Sequence, residues 1–486
     1  MAGCWGPLVL LLLVHSTTAF KLVCHFADWS QYRTGQGRFL VEDIDPFLCT
    51  HVVYDFAVID HNNKLKVNEW VKKSSYVAFT GLKNRNSQLK TLLLVREAHA
   101  VDPQFKRTVS TAAARQTFVQ SSVNFLRTHD FDGLELSWDH PGDHKYKFTQ
   151  LCKDLLEAFE RESAGTERTR LTLSASLTPH TEDVISLDHY EVPELTKILD
   201  FISVKAFDLS RGDVTAHHSP LYSHDNASID FITQYLLDHE VPAEKLLLGF
   251  PAHARSYRLS TDTTRPGAPA SGPANPGPFT QEMGFWANFE TCAFLKGASA
   301  FWIDSQYVPY AVKHNQWVGF DNQASYGAKV SYLRSRHLGG AAVWHLDLDD
   351  FSGLFCGQGN YPLITHLKAE LSRGLKATTT TEPQILKTPG SPGHTAVSPA
   401  PHSSSGTMGP GCLGNFTVVH PDPSLCTGRA DGHYQMQQEP AVAYVCAKGL
   451  AYVTECPRVH SRGAPASRGG GLLLGLLLTG LLCVCR

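Results

Sequence analysis

Eight short apolar runs recur along the chain, and longer stretches with helical spacing of apolar residues lie between them. The runs cover residues 22–26, 51–58, 91–95, 133–138, 171–177, 201–207, 246–250 and 341–346. Residues 148–159 and 230–238 are two of the stretches with helical spacing. Strands that are apolar on both faces are typical of a parallel sheet covered by helices. Eight such strands in alternation with helices predict an α/β fold, a (β/α)8 TIM barrel.

The interval between the seventh and eighth runs is roughly 90 residues long, which is more than one crossover helix needs. It begins with a Gly- and Pro-rich stretch at residues 266–279 and later contains an aromatic stretch at residues 317–320. We therefore predict a small α+β insertion at about residues 252–325, within a barrel domain that covers residues 21–373.

The two ends of the chain differ in composition from the predicted barrel. Residues 1–20 carry an apolar run followed by small residues, which is typical of a secretory signal peptide. Residues 374–411 are rich in Thr, Pro, Ser and Gly, and this composition predicts an extended stalk without a core. Residues 412–460 contain four cysteines, which indicates a small disulfide-rich module.

The last segment, residues 461–486, ends in an apolar tail that is short for a membrane-spanning helix. Small residues, a brief polar stretch and a terminal apolar run together suit a signal for a glycosylphosphatidylinositol (GPI) anchor. Ordinary secretion with an apolar tail and a membrane span are the two alternatives. The predicted location is therefore extracellular, either secreted or attached to the cell surface.

Composition and charge weigh against one class of partner. The 486 residues are 42% hydrophobic and 18% charged, and the formal net charge is −3. This balance gives no electrostatic reason to bind nucleic acid or an anionic membrane surface. Export would permit disulfides among the twelve cysteines, and the sequons at Asn226 and Asn415 predict N-glycosylation.

The fourth apolar run carries the polar residues that most strongly indicate a site. Glu135, Ser137 and Asp139 alternate with apolar residues, so a strand would turn all three side chains to one face. A Pro-Gly turn follows, and catalytic residues of parallel barrels lie at the carboxyl ends of strands. We predict that this face is the functional one, although polar residues that merely fill a barrel interior would show the same pattern.

The segment from Asp132 to Asp139 resembles the D-G-x-D-x-D-x-E signature of family 18 glycoside hydrolases, which include chitinases and chitinase-like lectins. Asp132 and Gly133 match, whereas Glu135 stands for the first inner Asp, Ser137 for the second and Asp139 for the catalytic Glu. Further stretches similar to vertebrate chitinases lie at residues 26–33, 44–51, 86–93, 251–257, 315–321 and 338–351. The resemblance implies a chitinase ancestry with a degenerate catalytic motif.

Hydrolysis in family 18 is assisted by the N-acetyl group of the substrate, while one enzyme acid protonates the leaving oxygen. The resemblance implies that Asp139 occupies the acid position with a shorter side chain, and that Ser137 replaces the carboxylate that orients the acetamide. The family's Met-x-Tyr-Asp reads Lys-Ala-Phe-Asp at residues 205–208, so Phe207 lacks the hydroxyl that holds the acetamide carbonyl. These changes predict a protein without catalytic activity.

Four residues match positions at which the family contacts saccharides, and they are Trp29, Asp208, Arg255 and Trp344. The family's Gly-Gly-Trp is Arg-Glu-Ala at residues 96–98, which removes a stacking Trp. We expect an extracellular protein that binds chitin-like or other N-acetylated glycans, or that acts as a scaffold. The alternative is an endochitinase of low residual activity on β-1,4-linked N-acetylglucosamine polymers. Neither reading calls for a cofactor or a metal ion.

The charged residues at the predicted barrel mouth have a second interpretation. They could form one buried ion-pair network that replaced the substrate pocket, since an unpaired charge there would be costly. The members of this network would be Lys205, Arg96, Glu135, Glu97, Asp139 and Asp208.

The resemblance also implies how the cysteines are used. Cys24 would pair with Cys49 and Cys292 with Cys356, and Cys152 would remain a buried, inert thiol in an apolar helical stretch. The module at residues 412–460 looks like part of a peritrophin-type chitin-binding module, with Gly-x-Ala-Asp-Gly-x-Tyr after its second cysteine.

Five histidines fall at the predicted barrel mouth: His25, His99, His140, His253 and His345. Three interpretations are open. The histidines could simply replace other aromatic residues, they could bind a metal ion, or they could make ligand binding depend on pH between about 7 and 5. No two of them have the compact spacing of a metal site, which weighs against the second interpretation.

Overall fold

The computed structural model describes residues 20–67, 73–96, 104–179, 185–210 and 213–373, together with the backbone of three strands between residues 432 and 455. The chain divides into two compact units, one up to Thr380 and one from Thr381. The predictions for the signal peptide, the stalk, the tail, Glu97, His99 and Asn415 lie outside the described residues. None of the described helices is long and apolar enough to cross a membrane.

The first unit contains fifteen described strands and nine described helices. The strands are β1 (Lys21–Ala27), β2 (His51–Ile59), β3 (Leu65–Val67), β4 (Lys90–Arg96), β5 (Gly133–Ser137), β6 (Thr172–Leu177), β7 (Phe201–Val204), β8 (Leu246–Pro251), β9 (His253–Leu259), β10 (Ala270–Pro273), β11 (Phe285–Ala287), β12 (Ser299–Ile303), β13 (Val308–Lys313), β14 (Gln316–Gly319) and β15 (Gly340–Trp344). The helices are α1 (Lys73–Thr80), α2 (Gln104–Ser110), α3 (Ala112–Thr128), α4 (Lys145–Ser163), α5 (Val192–Ile198), α6 (Ile229–Asp238), α7 (Asn288–Leu295), α8 (Gln323–Ser335) and α9 (Pro362–Ser372).

Eight parallel strands form a closed barrel in the order β1, β2, β4, β5, β6, β7, β8 and β15, with β15 returning to pair with β1. Each of the eight predicted runs coincides with one of these strands, so the predicted (β/α)8 barrel is confirmed. The seventh-to-eighth interval of the prediction is the one between β8 and β15. Strand β7 ends at Val204 rather than at residue 207, because the backbone N–H of Ala206 turns back to the Val204 carbonyl.

The barrel has an apolar layer on each side of its sheet. Leu134 and Leu136 of β5 pack in the large outer layer, between the strands and the helices. A smaller inner cluster includes Leu94, Phe207 and Trp344. The alternation along β5 therefore turns Glu135 and Ser137 to the interior, as predicted.

An antiparallel sheet lies between β8 and β15 in the chain. Its strands run in the order β10, β9, β14, β13 and β12, and β11 pairs with β9. Helix α7 follows β11 directly. Strand β9 begins two residues after β8 ends, so the sheet starts at the carboxyl end of a barrel strand. This places β9 at the barrel mouth.

Two disulfides join Cys24 to Cys49 and Cys292 to Cys356, as the resemblance implied. Cys152 of α4 is a buried free thiol, and burial raises its pKa far above the ordinary value of a thiol. It is therefore protonated and inert at neutral pH.

The second unit contains a three-stranded antiparallel sheet in the region of the predicted cysteine-rich module. Its strands are β16 (Gly432–Gln435), β17 (Val442–Ala447) and β18 (Leu450–Glu455), with β17 in the centre.

Candidate functional site

A cleft of about 790 Å³ lies over the carboxyl ends of the barrel strands. Barrel residues on its wall include Asp139 after β5 and Phe207 after β7, and the insertion contributes Arg255 and Tyr257 from β9. Of the three polar residues that the alternating pattern on β5 placed on one functional face, Asp139 lines the cleft, whereas Glu135 and Ser137 are not on its wall.

Asp139 is held by three donors on one carboxylate oxygen. The Lys205 ammonium lies 3.1 Å from Oδ1, and the Thr178 hydroxyl donates to the same atom at 2.7 Å. The Ser137 hydroxyl is more distant, at 3.4 Å, and it accepts a hydrogen bond from Lys205 at 3.0 Å. The Asp139 side chain is nevertheless 53% exposed, so the pair sits in the open cleft and is not part of the core.

These contacts fix the charge of Asp139. Desolvation raises the pKa of its carboxyl group, but the positive charge of Lys205 and the Thr178 hydrogen bond outweigh that effect and hold the pKa well below its usual range. Asp139 is therefore an anion at neutral pH. An anion cannot donate the proton that a glycosidic leaving oxygen requires.

Glu135 lies below the cleft in the barrel interior and does not face the ligand space. Its Oε1 is 2.9 Å from Nε2 of His25, and both side chains are fully buried. The other ring nitrogen of His25, Nδ1, lies 3.0 Å from the carbonyl of Val343, which can only accept a hydrogen bond. Nδ1 therefore carries a hydrogen, and Glu135 and Nε2 share one further proton between them.

Asp208 is the second carboxylate of the cleft, and it is bound more completely. Arg255 donates to both of its oxygens at 2.7 Å, and the rings of His218 and His253 each lie 3.0 Å from Oδ1. Desolvation raises the pKa of Asp208, but His253, Arg255 and His218 together hold it well below the ordinary value. The backbone of Asp208 has a φ of 58°, a left-handed conformation that Asp tolerates better than most residues.

One group of possible metal ligands occurs among the described residues, and it is Asp208 with His218 and His253. Their ligand atoms lie within 4.8 Å of one another. Arg255, however, places a permanent cation on both oxygens of the same carboxylate, and each imidazole already bonds to Oδ1. The atoms that would face a metal ion are thus already engaged in hydrogen bonds, whereas His218 Nε2 and His253 Nδ1 have no hydrogen-bond partner among the described residues. This cluster was not predicted from the sequence, because His218 lies in an irregular loop after β7.

A third charged group lies on the opposite wall, where Arg96 and His345 converge on Asp55. Arg96 Nε donates to Oδ1 at 3.0 Å, and His345 Nε2 lies 3.1 Å from Oδ2. The Arg96 guanidinium also lies 5.1 Å from the ring centre of Trp29, which is 36% exposed. Asp55 was not predicted as a site residue, although it is the one acidic residue within the apolar run 51–58.

Trp344 lines the cleft but offers little surface. Its ring is only 4% exposed, His25 stacks on it at 4.2 Å, and Phe207 tilts against it at 5.4 Å. His25 and Phe207 therefore cover most of the Trp344 ring, which leaves little of it to lie beneath a sugar as predicted. Trp29 is the more accessible aromatic surface.

The prediction of one buried ion-pair network is wrong for the described residues. Lys205 binds Asp139, Arg96 binds Asp55, Arg255 binds Asp208, and Glu135 binds a histidine. Four separate groups therefore form: three of them line the cleft, and the group of Glu135 and His25 lies below it in the barrel interior.

The histidines predicted at the barrel mouth differ in position. His140, His253 and His345 line the cleft, whereas His25 is fully buried against Trp344. Burial lowers the pKa of His253 and of His345, more than their carboxylate partners raise it. Both therefore titrate at lower pH than a free imidazole.

The fold and the cleft together define a class: a closed parallel barrel with carboxylates at its strand ends, of the kind that glycoside hydrolases use. Comparison with known sequences gives the particular family. Residues 21–349 match the model for glycosyl hydrolases family 18, and the chain belongs to this family.

Individual relatives cover most of the chain. It is 39% identical to mouse chitotriosidase-1 over 470 residues, which are 93% of this chain and 96% of the relative. It is also 39% identical to human chitinase-3-like protein 2, over 76% of this chain and 96% of the relative. A structure of human YKL-39, described as a pseudo-chitinase with retained chitooligosaccharide binding properties, is 39% identical, with a TM-score of 0.70 over 73% of this chain and 100% of the other. The family thus contains proteins named as chitinases and proteins named as pseudo-chitinases.

Proposed function

We propose that this protein is a catalytically inactive, chitinase-like extracellular protein that binds N-acetylated glycans in the barrel cleft. The observation that carries the loss of catalysis is the ion pair between Lys205 and Asp139, 3.1 Å apart. A general acid must hold a proton near its working pH. The residue at the acid position is instead held as an anion by its own lysine.

Two further groups needed for substrate-assisted hydrolysis are missing at the same place. Ser137 cannot act as a carboxylate toward the acetamide, and its hydroxyl is engaged by Lys205. Phe207 has no hydroxyl to hold the acetamide carbonyl, and its ring packs against Trp344 and His253. Losses of this kind act in the same direction, although they are not strictly additive.

Glycan binding is supported by what the cleft retains. Trp29 and Tyr257 provide aromatic surface along it, and Arg255 is held rigidly by its two bonds to Asp208. The pseudo-chitinase relative described above keeps chitooligosaccharide binding. Lys205 lies on the cleft wall beside Asp139, so we expect it to weaken any sugar contact there.

The test combines hydrolysis and binding on the same secreted protein. We expect no turnover of chitohexaose and a measurable heat of binding in calorimetry, with Trp29→Ala reducing the affinity. Turnover by the unmodified protein that Asp139→Ala abolishes would overturn the inactive assignment. Absence of binding to chitooligosaccharides and to other N-acetylated glycans on an array would leave the scaffold role and refute the binding role.

We propose further that residues 374–486 form a stalk, a partial chitin-binding module and a C-terminal GPI signal. The composition of these segments supports this division, and the three described strands lie within the proposed module. Treatment of expressing cells with phosphatidylinositol-specific phospholipase C should release the protein. Retention on the cell, or an intact tail by mass spectrometry, would contradict the anchor.

A further inference from the structure

The insertion sheet ends in an exposed, apolar edge strand. Strand β12 reads Ser-Ala-Phe-Trp-Ile, and it pairs with β13 on one side only in the part of the chain that the structure describes. Phe301 is 46% exposed and Trp302 is 39% exposed. Soluble proteins usually protect such an edge with charges, a proline or a bulge, and β12 contains none of the three. We call Ser299–Ile303 the edge-strand surface.

The register of the sheet shows which backbone groups of β12 point outward. Trp302 lies opposite Pro309 of β13, and the Pro309 carbonyl accepts a hydrogen bond from Phe320 N–H on the far side of β13. Phe301, opposite Tyr310, therefore bonds to β13. The N–H and C=O groups of Ala300 and Trp302 consequently face away from the sheet, ready to pair with another strand.

We propose that the edge-strand surface pairs with the same surface of a second copy of this chain, antiparallel and centred on Phe301. In this register Ala300 of one copy lies opposite Trp302 of the other, so the outward-facing N–H and C=O groups of both residues form hydrogen bonds across the junction. The indole of Trp302 then lies beside the small side chain of Ala300. Phe301 meets its own counterpart at a closely spaced position, where aromatic pairs stabilise a sheet. Phe301 already stacks on Tyr310 at 5.1 Å, so the aromatic row continues across the junction.

Charge at the two ends of the strand favours this self-pairing. Lys296 precedes β12 in an exposed turn, and Asp304 follows it directly. Neither side chain forms an ion pair within the described chain. In the register centred on Phe301, Asp304 of one copy lies opposite Ala298 of the other, two residues from Lys296, so the basic end of each strand lies beside the acidic end of its partner. Two-fold symmetry thus doubles each favourable contact.

The proposed interface leaves the cleft free. The sheet residues on the cleft wall come from β9, β10 and the segment that leads into β11, whereas β12 is at the opposite edge of the sheet. Pairing therefore does not depend on the proposed function, and a protein without glycan binding could still form the dimer. A five-residue strand is short for an interface, so we expect a reversible dimer.

The first test measures the mass of the secreted protein by sedimentation velocity, at concentrations up to about 100 µM. We expect a concentration-dependent dimer for the wild type. Ala300→Pro should give a monomer, since it removes an outward N–H without touching the ladder to β13. Leu354→Lys is the matched control: it changes another exposed apolar residue, and we expect it to leave the dimer intact.

The second test exchanges the charges. Lys296→Glu and Asp304→Lys should each weaken the dimer about tenfold or more, because like charges then meet across the interface. The double variant should recover the wild-type constant. Thermal unfolding of every variant controls for folding. A monomeric wild type at the highest concentration, a dimer that survives Ala300→Pro, or a double variant no better than the single ones would overturn the proposal.

Discussion

Two lysine–aspartate pairs in this barrel have nearly the same chemistry and opposite consequences. Lys329 of α8 lies 2.7 Å from both oxygens of Asp321, and neither side chain is more than 1% exposed. Lys205 reaches one oxygen of Asp139 at 3.1 Å, in an open cleft. Both pairs hold the aspartate pKa below its usual range. The buried pair ties α8 to the segment that follows β14, whereas the cleft pair holds the carboxylate at the proposed acid position as an anion.

Burial, rather than the presence of an ion pair, sets how much each pair contributes to the free energy of unfolding. Breaking a buried pair leaves a charge without solvent, while breaking an exposed pair exchanges it for water. The Arg255–Asp208 pair is intermediate, since it lies in the cleft but is bound by four contacts.

Lys329→Met should have the largest effect. It leaves Asp321 buried with only the Ser325 hydroxyl as a side-chain donor, so we expect a loss of about 3–5 kcal/mol of unfolding free energy. Urea unfolding of the purified protein measures this. A double variant with Asp321→Leu should recover part of the loss; a single variant as stable as wild type would refute the distinction between the two pairs.

Asp208→Asn should have an intermediate effect of about 1–3 kcal/mol, since the charge that Arg255 and two imidazoles share is removed. The pKa of Asp208 is lowered in the folded state. Its stabilisation is therefore present above the unfolded pKa of about 3.9 and is lost as the pH falls through the folded pKa. Unfolding curves at pH 7 and pH 3 should show the wild-type advantage shrinking at the lower value. A constant difference would contradict the linkage.

Lys205→Met should change the unfolding free energy by less than about 1 kcal/mol, because Asp139 is open to solvent. We expect the affinity for chitooligosaccharides to rise, since the substitution removes a charged ammonium from the cleft wall. Calorimetry decides this. Lys83→Met, which removes a lysine paired with Asp130 away from the cleft, is the control and should leave the affinity unchanged.

Asp139→Glu alone should have no effect on hydrolysis. The longer carboxylate restores reach, but Lys205 still binds it, and the acetamide contacts are still absent at positions 137 and 207. A fluorogenic chitobioside assay measures this. Turnover that appears with the single substitution would show that side-chain length, rather than the surrounding charges, limits hydrolysis. The positive control combines Asp139→Glu with Ser137→Asp, Lys205→Met and Phe207→Tyr, and we expect hydrolysis from this combined variant.

Much of this architecture could be predicted from the sequence, because strand patterning is local. A strand has a period of two whether or not its neighbours are known. The sequence could therefore predict the eight runs, the inward face of Glu135 and Ser137, and the long interval before β15. The degenerate motif likewise identified the position of Asp139. These features depend on residues that are adjacent in the chain.

The hydrogen-bond partners of the charged residues depend on how the barrel closes. Glu135 bonds to His25, which is 110 positions away, and Asp55 bonds to His345, which is 290 positions away. Closing the barrel sets which strand ends become neighbours, and desolvation then selects the nearest opposite charge for each buried group. Charge patterns in a sequence carry no record of that closure, so a single network was predicted where four separate groups formed.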